Sequence, residues 1–150
     1  MSTTDANLSS RRRKIAGAAL VAVLAAVLIA VVVVRGGGEK VINAGGDTLV
    51  LVGKKTDVGR TALGRGTLAD VGGCLGWAGE NGEPGTVVVW PHGTNVETPD
   101  PLRVKIKGTF YELGDTVEVG GGFADGLDPS STLYQQAPQK CRDAKVWFAS

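Results

Sequence analysis

Residues Ile15 to Val34 form an unbroken run of twenty apolar residues, IAGAALVAVLAAVLIAVVVV, and no other feature restricts the chain as much. At about 1.5 Å of rise per residue, such a helix is roughly 30 Å long, the hydrocarbon thickness of a bilayer. Twelve of its residues are Val, Leu or Ile, and no ionisable group opposes insertion. A buried core helix is the rival reading, but a domain of this size cannot surround such a helix on every side. The stretch 15–34 is therefore read as a transmembrane helix.

Orientation follows from the flanks. Arg11, Arg12, Arg13 and Lys14 precede the segment directly, whereas Arg35 alone follows before three glycines. Positive charge is retained in the cytoplasm, so this cluster is a topology signal, and residues 1–14 are expected to be a cytoplasmic tail. The expected location is the cell membrane, single-pass, with the N-terminus cytoplasmic and the C-terminal domain extracytoplasmic. The other reading is a secreted form after cleavage of the apolar segment. Against it, the run exceeds the usual 7 to 15 residues of a signal peptide, and "VVVVRGGGE" lacks a small-x-small site. Ala18, Ala22, Ala26 and Ala30 recur every fourth residue, a candidate helix–helix seam through which a homodimer would form.

The formal charge of +1 conceals an asymmetry: residues 1–39 carry five basic and two acidic groups, and residues 40–150 carry eleven and thirteen. The outer part is thus near neutral, which argues against nucleic acid as a partner, since phosphate neutralisation needs a basic face. The partners expected are the lipid bilayer and an envelope protein or small ligand. Cys74 and Cys141 are the two cysteines of the chain. On the oxidising side of a membrane such a pair forms a disulfide.

Residues 35–46 hold five glycines among polar residues and are read as a Gly-rich tether, leaving 47–150 as the extracytoplasmic β domain. There, "TLVLVG" and "TVVVWP" are short apolar strands, and "ALGRGTLADVGGCLGW" is a strand pair bent at glycines. "HGTNVETPDP" is read as a loop because of its two prolines. In "LRVKIKG" Leu102, Val104 and Ile106 alternate with Arg103, Lys105 and Lys107, the pattern of a half-exposed strand. "TFYELGDTVEVGGG" adds a turn at Gly114-Asp115 and a further alternation. Ala124 to Lys140 is read as a long loop with one short helical turn, and "CRDAKVWFAS" as a last strand. Short strands, glycine corners and the lack of a long amphipathic helix predict an all-β domain, a small OB-like five-stranded barrel or, alternatively, a small β-sandwich.

The segments "GTLADVGGCLG", "VVVWPHGT", "YELGDTVEVGGG" and "CRDAKVWF", in this order, resemble small, mostly uncharacterised bacterial membrane-anchored or secreted proteins with an OB-like β domain. The resemblance covers roughly residues 61–150 and implies that fold and a disulfide. It carries over no functional residue. The sequence departs from many OB folds in offering a proline-bearing loop where a helix stands between the third and fourth strands.

Chemistry-bearing residues are sparse. His92 is the single histidine, which excludes a multi-histidine metal site, and it is expected in a solvated loop. No Gly-x-Ser-x-Gly elbow supports Ser130 or Ser131 as a nucleophile with it. His92, Cys141 and Arg142 occur in the order used by thiol-dependent envelope transpeptidases, the alternative function. The local contexts do not match, however, and a Cys74–Cys141 bond would remove the nucleophile. Glu80 with Glu83 and Glu97 with Asp100 lie in turn-like segments, and Asp125 to Ser130 is too sparse in oxygen ligands for calcium. No metal or cofactor is expected. Trp77, Trp90 and His92 are the candidate ligand contacts, being beside predicted turns. The expected function is a non-catalytic, membrane-anchored extracytoplasmic binding or interaction module of the cell envelope.

Overall fold

The structure, a computed structural model, describes residues 38–56 and 60–150. The apolar segment 15–34, its alanine seam, the basic cluster Arg11 to Lys14 and the tail 1–14 lie outside the described residues. Among those described, no helix is long and apolar enough to cross a membrane.

The fold is mostly β. Among the described residues ten strands follow in order: β1 (Lys40–Asn43), β2 (Leu49–Val52), β3 (Ala62–Val71), β4 (Cys74–Trp77), β5 (Thr86–Trp90), β6 (Asn95–Pro99), β7 (Leu102–Ile106), β8 (Thr109–Glu112), β9 (Thr116–Ala124) and β10 (Lys145–Ala149). Two short helices, α1 (Thr132–Gln136) and α2 (Gln139–Arg142), lie between β9 and β10.

Five of the strands pair in a circuit. β3 pairs antiparallel with β4, β4 antiparallel with β5, β5 parallel with β10, β10 antiparallel with β9, and β9 antiparallel with β3. β2 joins this circuit beside β4 and β5 and carries β1 on its other side. The β3–β4 turn is the pair Gly72-Gly73, whose φ angles of 65° and 94° are left-handed. A two-residue hairpin whose twist matches its strands needs such angles, and glycine adopts them without steric cost. The hairpin delivers Cys74 directly into β4.

Alternation explains the core. Val117 and Val119 on β9 are buried while Thr116 and Glu118 are exposed, and Leu102, Val104 and Ile106 on β7 are buried between exposed or half-exposed basic residues. The continuous apolar run Val87–Trp90 is buried throughout, as a strand covered on both faces must be. Each fully buried Val or Leu contributes roughly 1.5–3 kcal/mol by leaving water, so these central strands dominate the hydrophobic stabilisation. A second apolar cluster lies under the helices, where Leu127, Leu133 and Ala137 pack with Leu51, Val87, Val89 and Val146.

Three expectations are corrected. Lys40–Asn43, assigned to the tether, is a strand, because Val41 and Ile42 pair with Leu51 and Val50 of the apolar β2. The segment read as a proline-bearing loop contains β6, which joins β7 and β8 in a separate three-stranded sheet. Pro99 is tolerated because it is the last residue of an edge strand, where a missing N–H costs least. Cys141 and Arg142 belong to α2 instead of the last strand, which begins at Lys145.

Candidate functional site

The strand β3 is paired on its two sides over different lengths. Ala62 to Thr67 pair with β9, whereas β4 reaches only Leu68 to Val71. Beyond Trp77 the chain makes one further bond, from the Ala78 N–H to the Thr67 carbonyl, and then turns away before β5. A groove of about 390 Å³ lies beside β3, between Leu63–Gly66 and the turn Ala78–Pro84, with Phe123, Lys145 and Trp147 contributing from β9 and β10.

Its floor is aromatic. The rings of Trp77 and Trp147 have centroids 5.5 Å apart at an interplanar angle of 50°, and Phe123 meets Trp147 edge-on at 5.0 Å and 89°. Both tryptophans are buried, while Phe123 is 61% exposed and Leu63 is 68% exposed at the rim. The rings fit because β3 turns glycines towards them. A Cβ on Gly64 would stand 2.5 Å from Trp77 Cη2 and 2.7 Å from Trp147 Cζ2, and one on Gly66 would stand 2.5 Å from Trp77 Cγ. The neighbouring odd-numbered residues Leu63, Arg65 and Thr67 are exposed, as strand alternation demands.

Among the described residues neither the Trp77 nor the Trp147 indole N–H has a hydrogen-bond partner. Both nitrogens are shielded from solvent, and that of Trp147 lies beneath Gly121 of β9, so it is the ring faces and edges, not the donors, that the two tryptophans bring to the groove. Arg65 and Lys145 supply two cations around the groove, and Glu80 and Glu83 two carboxylates. Glu80 and Glu83 sit in a turn, as their Gly- and Pro-rich surroundings predict, with the Glu83 N–H donating to the Glu80 carbonyl at 2.9 Å.

The three candidate ligand contacts separate. Trp77 lines the groove. Trp90 is wholly buried, and its Nε1 donates to the Leu75 carbonyl oxygen at 3.2 Å, so neither ring surface nor donor is left for a ligand. His92 is exposed in the turn Pro91–Thr94, past the end of β5 remote from the groove; β5 enters the groove at Thr86, and its far end, Trp90, lies roughly 13 Å from there along the strand at about 3.3 Å per residue. Trp147, Phe123, Leu63 and the two glycines were not singled out by sequence as one site. The usable signal was Gly-x-Gly within a strand of otherwise β-compatible residues, which marks close approach of a bulky neighbour.

Cys74 and Cys141 form a disulfide with a Cα–Cα distance of 5.9 Å, linking β4 to α2. Among the described residues no cysteine is free, so the thiol needed by the transpeptidase alternative is bonded in this state. The Asp125–Ser130 segment serves local structure: Asp128 Oδ1 accepts the Ser130 N–H and the Ser130 hydroxyl, each at 2.8 Å, and Ser131 Oγ caps α1 by accepting the Tyr134 N–H. These bonds favour the ionised carboxylate and hold the Asp128 pKa below the ordinary carboxylate value. Among the described residues no group of three His, Cys, Asp or Glu side chains could hold a metal.

Arg103 and Lys105 lie over the exposed ring of Phe110, at 4.4 Å and 5.2 Å from its centroid, so the basic stripe of β7 is partly engaged in cation–π contact. Further hollows lie beside Arg60 and Phe148 and beside Pro99 and Leu113. Comparison with family models, with curated proteins and with solved structures gives no match to this chain.

Proposed function

We propose that this protein is a single-pass, N-in membrane protein whose extracytoplasmic β domain is a non-catalytic binding module of the cell envelope, with the aromatic groove beside β3 as its ligand site. The observation that carries the reading is the groove itself, with the packed rings of Trp77 and Trp147 as its floor and exposed Leu63 and Phe123 at its rim. An apolar concavity with a few polar side chains around it, here Arg65, Lys145, Glu80 and Glu83, is the usual form of a binding site. The membrane assignment rests on the uninterrupted apolar run 15–34 and the basic residues before it.

The domain is proposed to be an OB-like five-stranded barrel. Support comes from the circuit β3-β4-β5-β10-β9, in which the single parallel contact is between the third and fifth strands of the five. The sheet β6-β7-β8 stands between the third and fourth of them, where many OB folds carry a helix.

The reading is tested by screening a library of small amide- and hydroxyl-bearing fragments against the full chain in lipid nanodiscs, observing the three indole N–H resonances. Fragments should shift those of Trp77 and Trp147 and leave that of Trp90 in place. A library that shifts neither, or moves all three alike, would refute the groove as a ligand site. Protease added to intact spheroplasts should remove the β domain and spare an epitope on residues 1–14, and the reverse pattern would overturn the orientation.

A further inference from the structure

We propose that the groove takes an extended peptide, which adds as an extra strand along the unpaired edge of β3. The inference rests on the groove being the binding site and names the class of ligand.

Backbone parity supplies the argument. The Leu68 N–H donates to the Asp115 carbonyl and the Leu68 carbonyl accepts the Gly114 N–H, so Leu68 directs its backbone groups towards β9. Successive residues of a strand direct theirs to opposite sides, so Gly66, Gly64 and Ala62 also bond β9, and Thr67, Arg65 and Leu63 face away from it. Two observations fix this parity independently. The Thr67 carbonyl accepts from Ala78, on the β4 side, and the Gly120 carbonyl, opposite Leu63, is bonded to the Ser150 N–H instead of to β3.

Leu63 and Arg65 therefore hold an N–H and a carbonyl each towards the groove, and among the described residues no strand pairs with them there. An edge with unpaired ladder groups is a template for another strand. Exposed edges are commonly blunted by a covering segment, yet the chain after Ala78 leaves this one open, with space beside it. Ala62 to Gly66 span about 13 Å, enough for a guest of about five residues.

The surroundings describe that guest. Leu63 and Phe123 offer exposed apolar surface beside the edge, so alternate side chains of the peptide should be apolar. Arg65 and Lys145 are balanced by Glu80 and Glu83, which favours a nearly neutral segment over a polyanion.

A phage library of random dodecamers, panned on the full chain in nanodiscs after subtraction on empty nanodiscs, supplies the probe. A selected peptide should slow amide exchange at Leu63 and Arg65 at least tenfold and leave Gly64 and Gly66, already bonded to β9, unchanged. Methylating alternate peptide amides should weaken binding more than tenfold for one parity and little for the other. Arg65→Pro removes an edge donor that no β9 bond uses; it should keep the circular dichroism of the parent and lose binding. Failure to select any peptide, equal effects of both methylation parities, or undiminished binding by Arg65→Pro would overturn strand addition. A peptide that shifts the Trp77 and Trp147 indoles without protecting Leu63 and Arg65 overturns strand addition and leaves the groove standing. One that does neither removes both.

Discussion

Gly64 and Trp77 occupy one space: the six-membered ring of Trp77 lies where a Cβ on Gly64 would go, with Cη2 only 2.5 Å from that position. The backbone of Gly64 is not left-handed, so the demand for glycine is purely one of volume. Gly64→Ala should therefore destabilise the domain by about 2 kcal/mol, the cost of forcing one methyl into a packed interior. Leu63→Ala, one residue away and mostly exposed, should change stability by less than about 0.5 kcal/mol. Paired urea titrations of the two variants check this, and equal midpoints would show that the rings yield freely.

The Cys74–Cys141 bond closes a loop with a sequence separation of 67 residues and ties the helical connection to β4. Chain-entropy arithmetic gives about 4 kcal/mol of stabilisation for such a loop. Thiol titration of the unfolded, non-reduced protein should find no free cysteine, and reduction should lower the urea midpoint markedly. Cys74→Ala with Cys141→Ala should reproduce the reduced protein's stability, because the cross-link and not a thiol is what the pair contributes.

Much of this architecture is legible in the chain because its signals are local. The run Val87–Val89, the alternation through Leu102, Val104 and Ile106, and the turn at Gly114-Asp115 each declare themselves within a few residues. The paired cysteines also follow from sequence, through the compartment implied by the apolar segment. β1 and β6 do not, since glycine and proline around them signal loops and only their partners β2 and β7 make them strands. The groove is the least legible part. It exists because β3 outruns β4 and finds its remaining partner in β9, some fifty residues later, and because Trp77 and Trp147 reach it from different strands. Trp77 and Trp90 are alike in sequence, as aromatic residues ending short strands, and only tertiary placement gives one a groove and the other a carbonyl.

That difference has an energetic consequence. Trp90 donates to the Leu75 carbonyl in the core, whereas the Trp77 donor has no partner. Trp90→Phe and Trp77→Phe both remove ring volume, but the first also strands a buried acceptor. Trp90→Phe should be the less stable by about 1 kcal/mol, the net worth of a hydrogen bond. Thermal or urea unfolding ranks the two, and the opposite order would mean that the Leu75 carbonyl finds another donor.

Asp128 gives the pH dependence a definite sign. Its carboxylate accepts the Ser130 N–H first and the Ser130 hydroxyl second, and both favour the charged form, so its folded pKa lies below the unfolded one. A group depressed in this way contributes its stability above the unfolded value, near 3.9, and loses it as pH falls through the folded value. Above about pH 5 the turn leading into α1 should thus be insensitive to pH on this account. A carbon-13 titration of the Asp128 carboxyl should show a midpoint below about 3.9. Ser130→Ala should raise that midpoint only part of the way, since the backbone N–H is the larger cause and survives the substitution. A midpoint at the unfolded value in the parent would show that the two bonds are absent in solution, and amide exchange at Ser130 would then be fast at neutral pH as well.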